Sequence, residues 1–309
     1  MEIPARAGGK GDKKGGKKLA WWQLSLLGVG CIIGTGYFLG SGIGLKMTGP
    51  SMLISFILAG IGTYIVAEAL AKMSAQDPQK GSFRSYAKKA YGSWAGFSSG
   101  WVYWFSEMLI TGSQLTALSI LSRFWFPNVP LWLFASGFAI LGVIVVVIGT
   151  KGFERTQNVF AVIKVAAIIM FIVLAIGVLF GLFGGSHHDM KIPTNLNEFM
   201  PNGMKGLWSS LIFGFYAFGG IEIMGIMAVR LKKKEDAKKA GTIMLILLTS
   251  IYLISLLLAT SLVAADQFNT KESPFVIALD AYDITFFPMY LMAQSLSQAF
   301  LLWLPLYLP

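Results

Sequence analysis

Residues 26–44 read LLGVGCIIGTGYFLGSGIG, an apolar run that glycine keeps interrupting. A bilayer core about 30 Å thick needs about 20 apolar helical residues, and this run with its flanks supplies them. Near its middle, Gly34, Thr35 and Gly36 are three consecutive residues of poor helix propensity, which predicts a break. A second run, 211–228, reads LIFGFYAFGGIEIMGIMA, with Gly219 and Gly220 followed by Glu222. Broken backbone at membrane depth must find partners, and it persists where it lines a cavity.

The rest of the chain sets both runs in a membrane. Of 309 residues, 55% are hydrophobic and 13% charged, with mean hydropathy +0.65, whereas soluble domains carry about 25% charged residues. Apolar stretches fall at 24–45, 51–73, 94–121, 131–149, 157–184, 206–229 and 240–264, with a weaker one from 286 to the end. The expected fold class is all-α, a polytopic membrane helix bundle. One cysteine excludes a disulfide scaffold, and with two histidines it leaves little for a zinc site. No cofactor and no metal are expected.

Charge placement gives the orientation. Six basic residues precede residue 21, five lie in 72–89, Lys151 and Arg155 share the next loop on that side, and six lie in 230–239. The opposite side holds Lys46, Arg123, Lys191, Lys205 and Lys271, and Lys164 lies inside a span. Nineteen against five predict a cytoplasmic N-terminus in the cell membrane by the positive-inside rule. The net charge of +10 is then a topology signal, with basic loops near anionic lipid and no need for nucleic acid. The Gly/Lys-rich tail, residues 1–20, reads as disordered. It is not a signal peptide, because the apolar stretch after it is too long and more spans follow. Residues 81–91, GSFRSYAKKAY, predict a short amphipathic helix on the cytoplasmic surface.

Interrupted helices at positions 1 and 6 point to the binding site of an inverted-repeat transporter. Exposed amides and a helix N-terminus attract a carboxylate, while freed carbonyls attract an ammonium or a cation. The competing reading is close helix packing: Gly30–Gly34, Gly36–Gly40, Gly40–Gly44, Gly177–Gly181 and Gly181–Gly185 all have GxxxG spacing. Packing competes more strongly at span 1 than at span 6, where a carboxylate adjoins the glycines. Gly28-x-Gly30 mimics part of a dinucleotide fingerprint, but no strand precedes it.

The segments CIIGTGYFLGSG, GSFRSYAKKAYG, GWVYWFSEMLITGSQLTA, KGFERTQNVFAVIKVAAI, FYAFGGIEIMGIMA and SPFVIALD follow one another over about residues 20–284. Together they resemble bacterial amino acid permeases of the amino acid–polyamine–organocation superfamily. The resemblance implies two inverted five-helix repeats followed by two further helices, with 21–184 the first repeat and 185–285 part of the second. It implies secondary transport of an amino acid, commonly as proton symport, by rocking of one helix bundle against another. Ile33, Gly34, Thr35 and Gly36 would offer amides to the substrate carboxylate. Phe218, Gly219, Gly220 and Ile221 would offer carbonyls to its amino group. Gln114 departs from the acidic residue many relatives carry before LTA, and the loop RLKKKEDAKKAG departs from the family's glutamate- and proline-bearing pattern.

Ionisable groups at bilayer depth are functional suspects. Lys164 is read either as a lysine snorkelling to the interface or as a buried amine that takes and releases a proton. It resembles the family lysine standing where sodium-driven relatives bind an ion, which favours coupling. Glu107, near the middle of span 3, is a second proton-coupling candidate against a structural hydrogen-bonding role. Glu222 is a third, against a capping role at the break. Glu68 and Lys72 form a favourable i,i+4 pair. His187 and His188 read as solvated, Cys31 as packing, and Trp21, Trp22, Trp101, Tyr103 and Trp104 as interface anchors or core rather than a cation cage.

The resemblance ends near Thr285, and FFPMYLMAQSLSQAFLLWLPLYLP reads as an aberrant segment over 286–309. Loss of one base near the Pro288/Met289 codons would account for it, since the shifted frame permits HVFNGAIIIAGFSTMAASLFA. Such a chain lacks helices 9 to 12 and is expected to transport weakly or not at all. A membrane enzyme is disfavoured, because Glu107, Glu222 and Lys164 have no histidine or cysteine partner at their depth. A non-transporting binder, partner subunit or remnant is the competing reading.

Overall fold

The computed structural model describes residues 19–77, 82–123, 126–148, 153–182, 193–221, 231–269 and 272–284. The basic tail up to residue 18, Glu222, the loop with His187 and His188, and the segment from Thr285 onward lie outside these. Among the described residues the elements are helical. The β feature is an isolated bridge between Leu19 and Leu231, where the Lys232 N–H donates to the Leu19 carbonyl at 2.9 Å.

Span 1 is three helices: α1 (Trp21–Ile32), a single turn α2 (Thr35–Phe38) and α3 (Gly40–Thr48). The break lies slightly earlier than glycine and threonine propensity predicts. Ile33 and Gly34 leave the helix, whereas Thr35 and Gly36 already belong to α2. The Gly34 carbonyl accepts the Tyr37 and Phe38 N–H groups at 3.1 and 3.3 Å, and this nucleates the new turn. Leu39 makes a second, milder corner before α3.

Next come α4 (Met52–Gln76), α5 (Ser82–Tyr91), α6 (Ser93–Ser122), α7 (Leu131–Ile148) and α8 (Phe153–Leu179). The chain continues with the short α9 (Leu196–Phe199), then α10 (Gly203–Ala217), α11 (Ala237–Leu262) and α12 (Pro274–Asp280). Each of the seven stretches expected to span the membrane thus contains helix. Gly36–Met73, Ala161–Leu179 and Ala237–Leu262 are long and apolar enough to cross a membrane. In α6, Ser106, Glu107, Ser113 and Gln114 dilute the apolar character.

The amphipathic stretch at 81–91 forms α5, and Gly92 (φ 88°) turns it back along the start of α6. That left-handed φ favours glycine. Phe83 meets Tyr103 edge-on at 5.0 Å. Lys89 binds the Asp77 carboxylate at 2.5 Å, which holds its ammonium pKa above the usual lysine value.

Packing separates a body from a margin. Helix α1 lies against α8 and α11, α4 against α10 and α11, and α3 against α10. The buried face of α11 (Met244, Leu248, Tyr252, Ser255, Ala259) recurs at helical spacing and seats it in the centre. Tyr37, Phe56, Phe171, Phe218, Tyr252 and Phe275 form the fully buried aromatic core. Helices α6 and α7 pair at the margin. Ile57, Leu58, Ile61 and Ile65 of α4 point outward, an apolar exterior that suits lipid or further helices and not water.

Candidate functional site

The two interruptions meet. Ile33 departs from helical geometry at ψ 114°. Helix α10 stops at Ala217, after which Phe218 (ψ 1°) and Gly220 (φ 97°) turn the chain away. Gly36, in the turn after the first break, abuts the Tyr216 ring one residue before the α10 terminus, and a Cβ there would collide with that ring. One turn further, a Cβ at Gly40 would lie 3.4 Å from Phe213 of the same helix. At Gly36 and Gly40 the glycines let α2 and α3 approach the end of α10, as the packing reading expects.

Neighbouring helices hold the broken ends. The Tyr216 hydroxyl is 2.6 Å from Ser113 Oγ of α6. The Tyr252 hydroxyl of α11 donates to the Ala217 carbonyl at 2.9 Å. This satisfies one of the carbonyls a helix end leaves without a partner, a lack that costs several kcal/mol in hydrocarbon. The Tyr37 hydroxyl lies 2.5 Å from Ser255 Oγ and 3.2 Å from the Tyr252 carbonyl oxygen. The Tyr37 and Tyr252 rings stack with centroids 3.9 Å apart. Tyr37, Ser113, Tyr216, Tyr252 and Ser255 carried no signal in the sequence beyond being polar residues in apolar helices.

The Ile33 N–H donates to the Val29 carbonyl at 3.1 Å, and the carbonyls of Gly214, Phe215, Tyr216 and Ala217 accept from the Phe218 and Gly219 N–H groups and the Tyr252 hydroxyl. A zwitterion would have to meet backbone groups other than these.

The chain matches the amino acid permease family model over residues 23–302. It belongs to the amino acid permease family. The permease is 58% identical over 266 residues to the uncharacterized transporter YcgH of Bacillus subtilis (strain 168), a match covering 86% of this chain and 60% of that relative. It is 36% identical over 261 residues to the aromatic amino acid transport protein AroP of Corynebacterium glutamicum, covering 82% and 56%. Against AroP of Escherichia coli (strain K12) it is 31% identical over 265 residues, covering 85% and 58%. The permease thus spans between 56% and 60% of the length of these curated relatives. All three relatives are named as transporters or transport proteins.

The sequence-derived candidates sit in this frame as follows. Ile33 of the permease is fully buried at the break, Gly34 caps α2, and Thr35 and Gly36 form its first turn. Phe218 is buried against Phe56 and Tyr252. The Gly219 N–H donates to the Tyr216 carbonyl at 3.1 Å, and Ile221 packs on the core.

Lys164 of the permease is 2% exposed, so it does not snorkel into water. Ala161, one turn earlier on α8, lies directly against Gly30 of α1. Lys164 therefore faces α1, within electrostatic range of Cys31. Glu107 is half-buried on α6 and acts electrostatically on Tyr216. The two groups thus have different neighbours, α1 for Lys164 and Tyr216 of α10 for Glu107.

At the end bearing the basic loops, Glu68 is shared by Lys72 at 3.2 Å and Lys238 of α11 at 2.8 Å. The i,i+4 pair read from the sequence is therefore one side of a bridge between helices. Trp21, read as an interface anchor or core residue rather than part of a cation cage, has the Lys239 ammonium 4.2 Å from its ring centroid.

Proposed function

We propose that this permease chain carries the substrate-binding core of a secondary amino acid transporter of the cytoplasmic membrane, coupled to protons and with its N-terminus in the cytoplasm. The observation that carries the reading is the meeting of the two interrupted helices, Gly36 of one against Tyr216 of the other. In it, the amides of Gly34, Thr35 and Gly36 take the substrate carboxylate, that of Ile33 being already bound to Val29. The carbonyls of Phe218, Gly219, Gly220 and Ile221 take its ammonium. Residues 21–184 act as the first repeat and 185–285 as part of the second. Lys164 is the coupling group, with Glu107 and Glu222 as further proton carriers. Two relatives bear aromatic amino acid transport in their names, which makes L-phenylalanine the first probe.

The test is binding and uptake of radiolabelled L-phenylalanine, with the other amino acids as competitors, by the purified chain in liposomes. Saturable binding, with weak uptake above empty vesicles that an acid-outside pH gradient raises, is the expected result. Binding without uptake replaces transport with the binding or partner role. No binding of any amino acid overturns the reading.

A further inference from the structure

Helix α11 touches the chain on both sides of the first break and at the end of α10. Before the break, the Ser25 hydroxyl of α1 donates to the Ala240 carbonyl at 2.8 Å. After it, Tyr37 of α2 stacks on Tyr252 and reaches its carbonyl and Ser255. The Tyr252 hydroxyl then continues to Ala217, where α10 stops. Tyr37, Tyr252 and Ser255 are all buried, so water does not compete for these bonds. A single turn such as α2 has no helical length of its own to keep its direction. What orients it is its lateral contacts.

We propose that Tyr252 is a positioning residue of the transporter, its hydroxyl and ring splinting α2 and the end of α10 into one unit so that the two interruptions keep their register. It does not touch the substrate. The turn after the first break and the end of α10 are thereby tied to one helix, α11. The consequence for substrate affinity rests on the proposed transport function, while the consequence for the backbone does not.

The only cysteine of the chain, Cys31, sits two residues before the break and reports on it. The experiment measures N-ethylmaleimide labelling of Cys31 in lipid nanodiscs, with L-phenylalanine affinity and thermal midpoint alongside. Tyr252→Phe is expected to raise the labelling rate and weaken L-phenylalanine binding by about three- to tenfold, the population change one lost buried hydrogen bond produces. Tyr37→Phe acts in the same direction, and the double variant exceeds neither single by the full product, because the links lie in series. Tyr282→Phe is the control. Its hydroxyl donates to the Leu262 carbonyl at 3.1 Å, at the far end of the same helix, and its loss should leave Cys31 labelling unchanged.

Equal labelling in wild type and Tyr252→Phe overturns the inference, as does an equal rise in Tyr282→Phe. If wild type binds no L-phenylalanine or other amino acid but labelling responds as stated, the splint stands and the transport reading falls. If wild type binds and labelling does not respond, the reverse holds.

Discussion

The Tyr216 ring occupies the space a side chain at Gly36 would need, and its hydroxyl is held 2.6 Å from Ser113 Oγ. A ring tethered at its far end cannot swing aside freely. Gly36→Ala therefore overpacks the contact at a cost of about 1–3 kcal/mol and should weaken amino acid binding about tenfold or more. Gly34→Ala meets only the Ile32 carbonyl, at an ordinary 3.6 Å, and should bind within about threefold of wild type. Isothermal titration of both variants checks the pair. Equal losses would show that glycine content and not this contact matters, and Ser113→Ala should recover part of the Gly36→Ala loss by freeing the ring.

Helix α1 approaches α8 more closely than any side chain permits. A Cβ on Gly30 would lie 2.6–2.9 Å from the Cβ, carbonyl oxygen and Cα of Ala161. Backbone cannot yield as a side-chain tip can, so Gly30→Ala should destabilise the bundle by about 1–3 kcal/mol. At Gly112 of α6, a Cβ would meet nothing within 4 Å. Gly112→Ala should be neutral or stabilise by up to about 1 kcal/mol. Thermal midpoints of the two variants in the same detergent decide the point.

Lys164 is a buried lysine on the face of α8 that meets α1. Replacing it by alanine leaves a small apolar hole and removes the group assigned to proton coupling. Lys164→Ala should retain L-phenylalanine binding within about threefold while uptake loses its response to an imposed pH gradient, since one missing contact remote from the substrate is worth less than about 1 kcal/mol. Persistence of the pH response would remove Lys164 from the mechanism.

Glu198 ends a small loop by accepting the Thr194 N–H at 2.8 Å and the Thr194 hydroxyl at 3.1 Å. These bonds favour the carboxylate and hold its pKa below the ordinary 4.5. A carboxyl group with a depressed folded-state value contributes fully above its unfolded pKa, and the contribution is lost as pH falls through the folded value. Protection of the Thr194 amide in hydrogen exchange should persist at pH 5 and disappear on acidification well below the ordinary glutamate value. Thr194→Ala removes only the hydroxyl bond and keeps the amide bond, so the acid midpoint of this protection should rise part of the way toward the ordinary glutamate value.

Much of this site was legible because glycine announces where a helix is interrupted. Gly34, Gly219 and Gly220 marked both breaks, and an uninterrupted apolar run placed Lys164 at depth. The exact residue of the first break was harder to read, since Gly34 caps the next turn while Thr35 and Gly36 enter it. What holds the breaks was not legible. Tyr252 reaches a backbone carbonyl 35 residues away, and Tyr216 meets Ser113 across 103 residues. A carbonyl acceptor leaves no mark on residue type. The same is true of Glu68, whose i,i+4 partner was visible while its second partner, 170 residues distant, was not.

Helix α1 leaves the ribosome well before its neighbours α8 and α11. The Ser25 hydroxyl has to wait for Ala240, 215 residues downstream. At synthesis rates of about 5–20 residues per second, that interval is roughly 10–40 s. During it, the Ser25 hydroxyl has only its local acceptor, the Trp21 carbonyl. Helix α1 is thus finished long after it is made, and the birth of α11 sets the earliest moment at which it can come to rest.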